Sequence, residues 1–261
     1  MAAETLGIRR FVGRWSVNAA SHVGRVAYLV LDLVRGLREW RIWLPRMMTE
    51  AWNIGVGSLF IVLLISGFAG AVTSLQARYQ FTGTIPIYYL AGVIVESIVL
   101  ELGPVLTGLI LAGRIGARYA AELGTMRVTE QIDALTSLAT EPVQYLMVPR
   151  VMASILMLPL LVIMGDAVGI YGGYLVAVQL MGANPVTYVD NSFQFLHVQD
   201  DVVSGVIKAA VFGLLFSLIA CVKGYYTTGG AEGVGRSTTR AVVSGSLSVL
   251  LADFFLTKLL Y

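Results

Sequence analysis

Residues 51–77 have the sequence AWNIGVGSLFIVLLISGFAGAVTSLQA and contain no charged side chain. As an α-helix rising about 1.5 Å per residue, this segment would be roughly 40 Å long. That length exceeds the hydrocarbon core of a bilayer, which is about 30 Å thick. The segment therefore predicts a helix that spans a membrane.

The whole chain has the composition of a membrane protein. Of its 261 residues, 57% are hydrophobic and only 13% are charged, whereas soluble domains carry about 25% charged residues. The formal net charge of +2 is too small to indicate a nucleic-acid partner. We therefore expect an integral membrane protein that does not bind nucleic acid.

Four further segments are apolar enough and long enough to cross a bilayer. Together with the first, they place the predicted spans at about 51–77, 87–114, 150–181, 202–226 and 241–260. We divide the chain into an N-terminal segment, residues 1–49, and a membrane domain, residues 50–261. The predicted fold class is all-α and polytopic.

The distribution of basic residues predicts the orientation of these five spans. Of the 18 lysines and arginines, only Arg78, Lys208 and Lys258 fall in segments on the side opposite the N-terminus. Basic residues concentrate in cytoplasmic segments of membrane proteins. We therefore expect a cytoplasmic N-terminus and a C-terminus on the other side of the membrane.

The N-terminal segment mixes arginines with apolar side chains. Val30, Val34 and Leu37 recur at three- and four-residue spacing, which is typical of one face of a helix. Trp40 and Trp43 follow, and tryptophan favours membrane interfaces. We predict an amphipathic helix that lies flat on the cytoplasmic membrane surface. An ordinary soluble helix is the alternative.

Residues 124–139 are too polar to cross a bilayer but are patterned as a helix. Val128, Ile132, Leu135 and Leu138 fall on one side of it. The pattern predicts a short cytoplasmic helix between the second and third spans, which offers an apolar strip and charges to a soluble partner. In the alternative, the helix packs against the chain's own membrane domain.

Carboxylic acids within the predicted spans are candidates for function. They are Glu96, Glu101, Asp166 and Asp253. An ionised carboxylate costs at least about 2.5 kcal/mol in mid-membrane, so each must face a cavity or a partner. Glu101 is the strongest candidate, because Pro104 removes a backbone donor close to it. The alternative is a structural pairing with Arg114, Lys208 or a backbone group.

Gly165, Gly169 and Gly173 repeat every four residues in the third span. Such a face of small residues lets another helix approach closely, which favours helix association in lipid. The partner is either another helix of the same chain or a second copy of the chain.

The residue types needed for metal or nucleophilic catalysis do not cluster in this sequence. His22, His197 and Cys221 are far apart, which excludes a recognisable metal or Ser-His-Asp pattern. Residues 230–237 superficially match a phosphate-binding loop, but they have arginine where lysine is needed and they join two spans. We therefore predict no active site, no metal and no cofactor in this chain.

Several motifs resemble the MlaE (YrbE) family of permeases. The specific ones are ELGPV at 101–105, AGR at 112–114 and AELGTMRVTEQIDAL at 121–135. Shorter matches are PR at 149–150, GG at 172–173, STTR at 237–240 and DF at 253–254. The resemblance extends over about residues 50–260.

This resemblance implies a permease subunit of an MCE-linked ABC transporter in the bacterial inner membrane. Such a transporter moves phospholipids or related lipids between the inner membrane and the cell envelope. The implied partners are a second copy of the chain, a cytoplasmic ATPase dimer that holds ATP and Mg, a periplasmic ring of MCE-domain subunits and an optional STAS-domain protein.

The resemblance also implies roles for particular residues. Residues expected at a lipid cavity between the two copies are Glu101, Glu96, Leu75 and Gln76. Residues expected to contact the ATPase are Arg127, Glu130, Gln131, Ile132, Asp133 and Leu135.

Two alternative functions remain at this point. One is a stand-alone secondary transporter that uses Glu96, Glu101 and Asp166 as an ion relay. The other is a membrane scaffold that anchors a lipid-transfer ring.

Overall fold

The computed structural model describes residues 24, 27–80 and 89–260, which are helical and contain no strand within these ranges. We number the helices α1 (27–36), α2 (Trp40–Gln80), α3 (Ala91–Val128), α4 (Gln131–Ser137), α5 (Val143–Met181), α6 (Pro185–Phe195), α7 (Gln199–Tyr225) and α8 (Gly230–Leu260). Five of these, α2, α3, α5, α7 and α8, are long and apolar enough to cross a membrane. The predicted all-α polytopic fold is therefore confirmed.

The spanning helices are longer than the predicted spans. Helix α2 begins at Trp40 and passes through the division that we place between residues 49 and 50. Pro45 lies close enough to the start of α2 that it removes only one early hydrogen bond. The first part of the predicted N-terminal segment, and the start of the second span at residue 87, lie outside the described residues. In α1, Leu29 and Leu33 are buried, whereas Val34 of the predicted apolar stripe is exposed.

The polar segment between the second and third spans forms a shorter separate helix than predicted. Residues 124–128 continue α3, so that α4 has only seven residues. Thr129 ends α3 by donating its hydroxyl to the carbonyl of Thr125, and Glu130 then adopts a left-handed conformation with φ 61°. The glycine-rich turn before the last span is also shorter, because α8 already begins at Gly230.

Helices α2 and α5 lie side by side from one end of the molecule to the other. Near their starts, the Arg46 guanidinium lies over the Tyr145 ring, and near their ends Arg78 donates to the carbonyl of Leu180. We call the end that carries Arg46, Arg118, Arg127 and Arg150 the arginine-rich end.

Small residues bring α2 and α5 into backbone contact. A Cβ at Gly169 would lie 3.1 Å from the carbonyl oxygen of Ser66, and a Cβ at Gly173 would lie 3.3 Å from that of Gly70. Gly165 lies against the Ser66 side chain. The small-residue face of the third span thus packs within the chain, against α2 and also against α3.

We expect Gly70→Ala to destabilise the helix pair, because its Cβ would clash with the backbone of Gly169. Backbone atoms cannot rotate away as a flexible side chain can, so the helices must separate, at a cost of about 1–3 kcal/mol. Thermal unfolding in detergent would measure the loss. The control is Gly235→Ala, because nothing lies within 4 Å of that position. Equal melting temperatures for the two variants would contradict the expectation.

Candidate functional site

A buried lysine lies at the centre of a polar cluster formed by α3, α7 and α8. The Lys208 side chain is 0% exposed, and its ammonium donates to Glu101 Oε1 at 2.7 Å and to the Thr257 hydroxyl at 2.7 Å. A third bond goes to the carbonyl of Leu100 at 2.9 Å, and Asp253 Oδ1 lies 3.4 Å away. The three ammonium donors therefore all have acceptors. We call these five residues the Lys208 cluster.

Pro104 explains why the Leu100 carbonyl needs a donor from another helix. In a regular helix, the carbonyl of Leu100 would accept a bond from the nitrogen of residue 104, but proline has no N–H to donate. Helix α3 also widens into a π-helical turn at Ile98–Leu102. The Lys208 ammonium supplies the missing donor, which satisfies a carbonyl that lipid could not satisfy.

The Lys208 cluster holds one ammonium against two carboxylates. Thr257 also donates to Oε1 of Glu101, at 2.9 Å. Both hydrogen bonds to the Glu101 carboxylate therefore go to one oxygen, and the side chain is still 40% exposed. Glu101 is thus anchored from inside while part of it remains accessible, which is the arrangement that a ligand contact requires.

The structure does not bring the other predicted lipid-site residues into this cluster. Leu75 and Gln76 are exposed on α2, and Glu96 is half-buried one α3 turn before Glu101. Asp166 is buried on α5 beside Gly103, where its Oδ1 atom has no hydrogen-bond partner among the described residues. Of the predicted intramembrane acids, Glu101 and Asp253 are therefore the two that lie together.

An open apolar groove of about 560 Å³ lies between α2 and α5. Its walls include Phe60, Leu64, Phe68, Tyr171 and Leu175. Ligand pockets in proteins measure about 300–1,000 Å³ and are mostly apolar. The groove has the size and chemistry to hold hydrocarbon chains, and the residue pattern had not singled it out.

Helix α4 projects from the arginine-rich end as a rigid turn. Non-glycine residues in the left-handed conformation flank it: Glu130 before it and Ala139, with φ 54°, after it. Arg127 pairs with Asp133 at 2.6 Å, which ties α4 to the end of α3. The turn at Glu130 and the Arg127–Asp133 pair set the direction in which α4 leaves α3.

The apolar strip of α4 faces the chain itself rather than outward. Ile132 is only 1% exposed and belongs to the main hydrophobic core. It therefore cannot contact a partner while α4 keeps this position, and Leu135 is half-buried. The exposed surface includes three of the predicted contact residues, Glu130, Gln131 and Asp133. It also includes three residues that were not predicted as contacts, Ala134, Thr136 and Ser137. Leu138, just beyond the helix, is 75% exposed.

Sequence reasoning missed one member of the Lys208 cluster, Thr257, because 156 residues separate it from Glu101. It also missed a set of ion pairs at the arginine-rich end, between Arg118, Glu122, Arg150 and Glu50. The four-residue spacing of Arg118 and Glu122 was a local signal for one of these pairs. Among the described residues, no group of three or more His, Cys, Asp or Glu side chains could hold a metal.

Comparison with known families accounts for this arrangement. Residues 47–259 match the model of the family described as Permease MlaE. The chain belongs to the MlaE permease family. The match begins within α2 and ends one residue before the end of α8, so it includes every spanning helix.

Relatives of this MlaE-family permease cover nearly its whole length. A probable ABC transporter permease protein of Rickettsia typhi is 43% identical over 98% of both chains. The intermembrane phospholipid transport system permease protein MlaE of Haemophilus influenzae is 33% identical over 96% of both chains. The chloroplastic protein TRIGALACTOSYLDIACYLGLYCEROL 1 of Arabidopsis thaliana is 39% identical over 89% of this chain and 65% of that protein. The chain is therefore a multi-pass membrane permease subunit.

We expect Lys208→Met to destabilise the permease by about 3 kcal/mol, because it leaves two carboxylates and a backbone carbonyl without a buried cation. Thermal unfolding in detergent would measure this loss. The control is Lys258→Met on the same helix as Asp253, since Lys258 is exposed. A melting temperature of Lys208→Met that matches Lys258→Met would show that the cluster contributes little to stability.

Proposed function

We propose that this permease is the transmembrane subunit of an ABC transporter that moves phospholipids or related lipids between the inner membrane and the cell envelope. A separate ATPase subunit supplies the energy, and the permease itself is not catalytic. The observation that carries this proposal is α4, a short helix between two spans at the arginine-rich end, which is packed on one side by Ile132 and exposed on the other. The names of the Rickettsia and Haemophilus relatives, an ABC transporter permease and a phospholipid transport permease, support it.

A cytoplasmic ATPase dimer holds ATP and Mg²⁺ in this proposal, and its surface groove receives α4. Helices that dock into grooves offer one face to the partner. In α4 the inward face is anchored by Ile132, so the outward face of Gln131, Ala134 and Ser137 is the one available. Because α4 is tied to α3 by Arg127 and Asp133, movement of the ATPase would displace α3 as well.

Two features of the structure suit a lipid substrate. The groove between α2 and α5 is apolar and open to its surroundings, as acyl chains require. The Lys208 cluster offers an accessible carboxylate, Glu101, backed by a buried ammonium that can balance its charge. A charged headgroup can interact with this pair without leaving an isolated charge in the membrane.

The proposed assembly contains two copies of the permease. Helix α8 is the least buried of the spanning helices, since only 11% of its apolar stretch is buried against the rest of the chain. Phe254 and Phe255 are both largely exposed on it. A second copy would cover part of this face. A ring of MCE-domain subunits would sit at the end opposite α4, with a STAS-domain protein as an optional cytoplasmic component.

Ala134→Arg tests the docking of α4, because it places a long charged side chain on the exposed face without disturbing Ile132. We expect at least a tenfold loss of ATPase affinity, as a desolvated unpaired charge costs more than about 1.4 kcal/mol. Binding of the purified ATPase to the detergent-solubilised permease measures affinity, and ATP-dependent movement of fluorescent phospholipid in proteoliposomes measures transport.

The control for this experiment is Asp190→Arg, which changes an exposed residue of α6 at the opposite end of the molecule. It should bind the ATPase as the unchanged protein does. Full ATPase binding and transport by Ala134→Arg would overturn the role of α4. ATP-independent transport driven by an ion gradient would instead indicate a secondary transporter, and transport in neither assay would indicate a scaffold.

The orientation that we propose places the arginine-rich end and α4 in the cytoplasm of a bacterial cell. It can be tested with single cysteines in a Cys221→Ala background, because Cys221 is the one cysteine of the chain and is buried. In spheroplasts, a membrane-impermeant maleimide should label Asp190→Cys on α6 but not Ser137→Cys on α4. Both should react after the membrane is permeabilised. The reverse labelling pattern would show the inverted topology.

A further inference from the structure

Four charged side chains alternate in sign at the arginine-rich end, where α2, α3 and α5 meet. Glu122 on α3 accepts from Arg118 Nε at 2.6 Å and from a terminal nitrogen of Arg150 at 3.0 Å. Glu50 on α2 lies 3.7 Å from Arg118 and 3.9 Å from Arg150. We call these four residues the Arg150 clamp.

Arg150, on α5, contacts both α2 and α3. Its side chain is 10% exposed, and besides Glu122 on α3 and Glu50 on α2 it donates to the carbonyl of Leu146 at 2.7 Å. Leu146 lies in the π-helical turn Val143–Met147 that begins α5. The backbone carbonyl of Arg150 also accepts from the Tyr119 hydroxyl of α3, at 3.4 Å. The side-chain contacts use three different nitrogens of the planar Arg150 guanidinium, whereas a lysine carries all of its donors on one nitrogen.

The position of the clamp along the chain relates it to α4. Glu122 and Arg150 are 28 residues apart, and the segment between them consists of the end of α3, α4 and the start of α5. The Glu122–Arg150 pair therefore closes the base of the segment that carries α4. Because this pair joins α3 to α5, a displacement of α4 would move both helices together rather than bend the segment.

A second contact, between Arg46 and Tyr145, connects α5 to α2. The Arg46 guanidinium lies 2.9 Å above the centre of the Tyr145 ring, and it donates to the Tyr145 carbonyl at 3.4 Å. Further along, α2 and α5 are in backbone contact at Gly70 and Gly169, so a displacement of one helix acts directly on the other. The groove between α2 and α5 lies on this helix pair.

Within the Arg150 clamp, the distance of 3.9 Å between Arg150 and Glu50 is longer than a hydrogen bond. Arg150 Nε and Glu50 Oε2 are both buried and have no hydrogen-bond partner among the described residues. A displacement of roughly 1 Å of the Glu50 carboxylate would bring its Oε1 atom within hydrogen-bonding distance of Arg150 Nε. The contact between α2 and the clamp can therefore tighten without breaking any bond of Arg150 to Glu122 or Leu146.

We propose that Arg150 is a positioning residue that couples displacement of α4 to movement of α2 and α5 during transport. This inference rests on the function proposed above and specifies how movement of the ATPase is transmitted to the groove between α2 and α5. Arg150 touches neither nucleotide nor lipid. It acts by holding the end of α3 and the start of α5 together and against α2.

The test compares Arg150→Lys with the unchanged permease, each assembled with its ATPase in proteoliposomes. Lysine keeps the buried positive charge, so the complex should assemble and hydrolyse ATP at a rate within about twofold of the original. Because the single nitrogen of lysine cannot occupy the three separate positions from which the Arg150 nitrogens face Glu122, Leu146 and Glu50, we expect the lipid moved per ATP hydrolysed to fall about tenfold. The matched control is Arg35→Lys, which changes an exposed arginine paired with Asp32.

Glu122→Gln is a second variant that opens the clamp from α3, and we expect the same loss of coupling. A normal ratio of lipid to ATP in either assembled variant overturns the role of Arg150. If neither variant assembles, the clamp serves folding alone, which also overturns it. Failure of the proposed function is distinguishable, because the unchanged complex would then hydrolyse ATP without moving lipid.

Discussion

Backbone contact between α2 and α5 determines where the other features of this permease lie. Inside a bilayer, helices gain no hydrophobic energy by burying apolar side chains against each other, so close van der Waals packing holds them together. Gly70 and Gly172 provide that packing, since a Cβ at either position would clash with the backbone of the other helix. Because the contact extends along both helices, their outer faces form the apolar groove and their starts meet at the Arg150 clamp.

A second constraint, that every polar group in the membrane must have a partner, explains the Lys208 cluster. Pro104 deprives the Leu100 carbonyl of its helical donor, and a buried ammonium replaces it. That ammonium in turn needs carboxylates, which Glu101 and Asp253 supply. The missing donor at Pro104 and the charged residues on three helices therefore form one connected arrangement. Part of Glu101 remains accessible within it.

The Lys208 cluster and the Arg150 clamp lie at different positions along α3 and have different roles in the proposed transport cycle. The Lys208 cluster ties α7 and α8 to the middle of α3, whereas the Arg150 clamp ties α2 and α5 to its last turns. Helix α3 is therefore the element common to both. It also continues into the α4 segment, so the proposed ATPase site on α4 and the proposed lipid contact at Glu101 would be connected through one helix.

The amino-acid sequence by itself determined the all-α fold, the number of spanning helices and the permease family. A spanning helix makes most of its backbone hydrogen bonds within itself, so length and hydropathy reveal it without knowledge of its neighbours. The motifs around Glu101 and residues 121–135 are likewise local. Tertiary structure decided which way α4 faces, because burial of Ile132 depends on the core beneath it. It also decided the partners of Glu101 and Arg150, which lie 107 and 28 residues away in the chain. No periodic pattern encodes such pairs, because they form only where separate helices pack together.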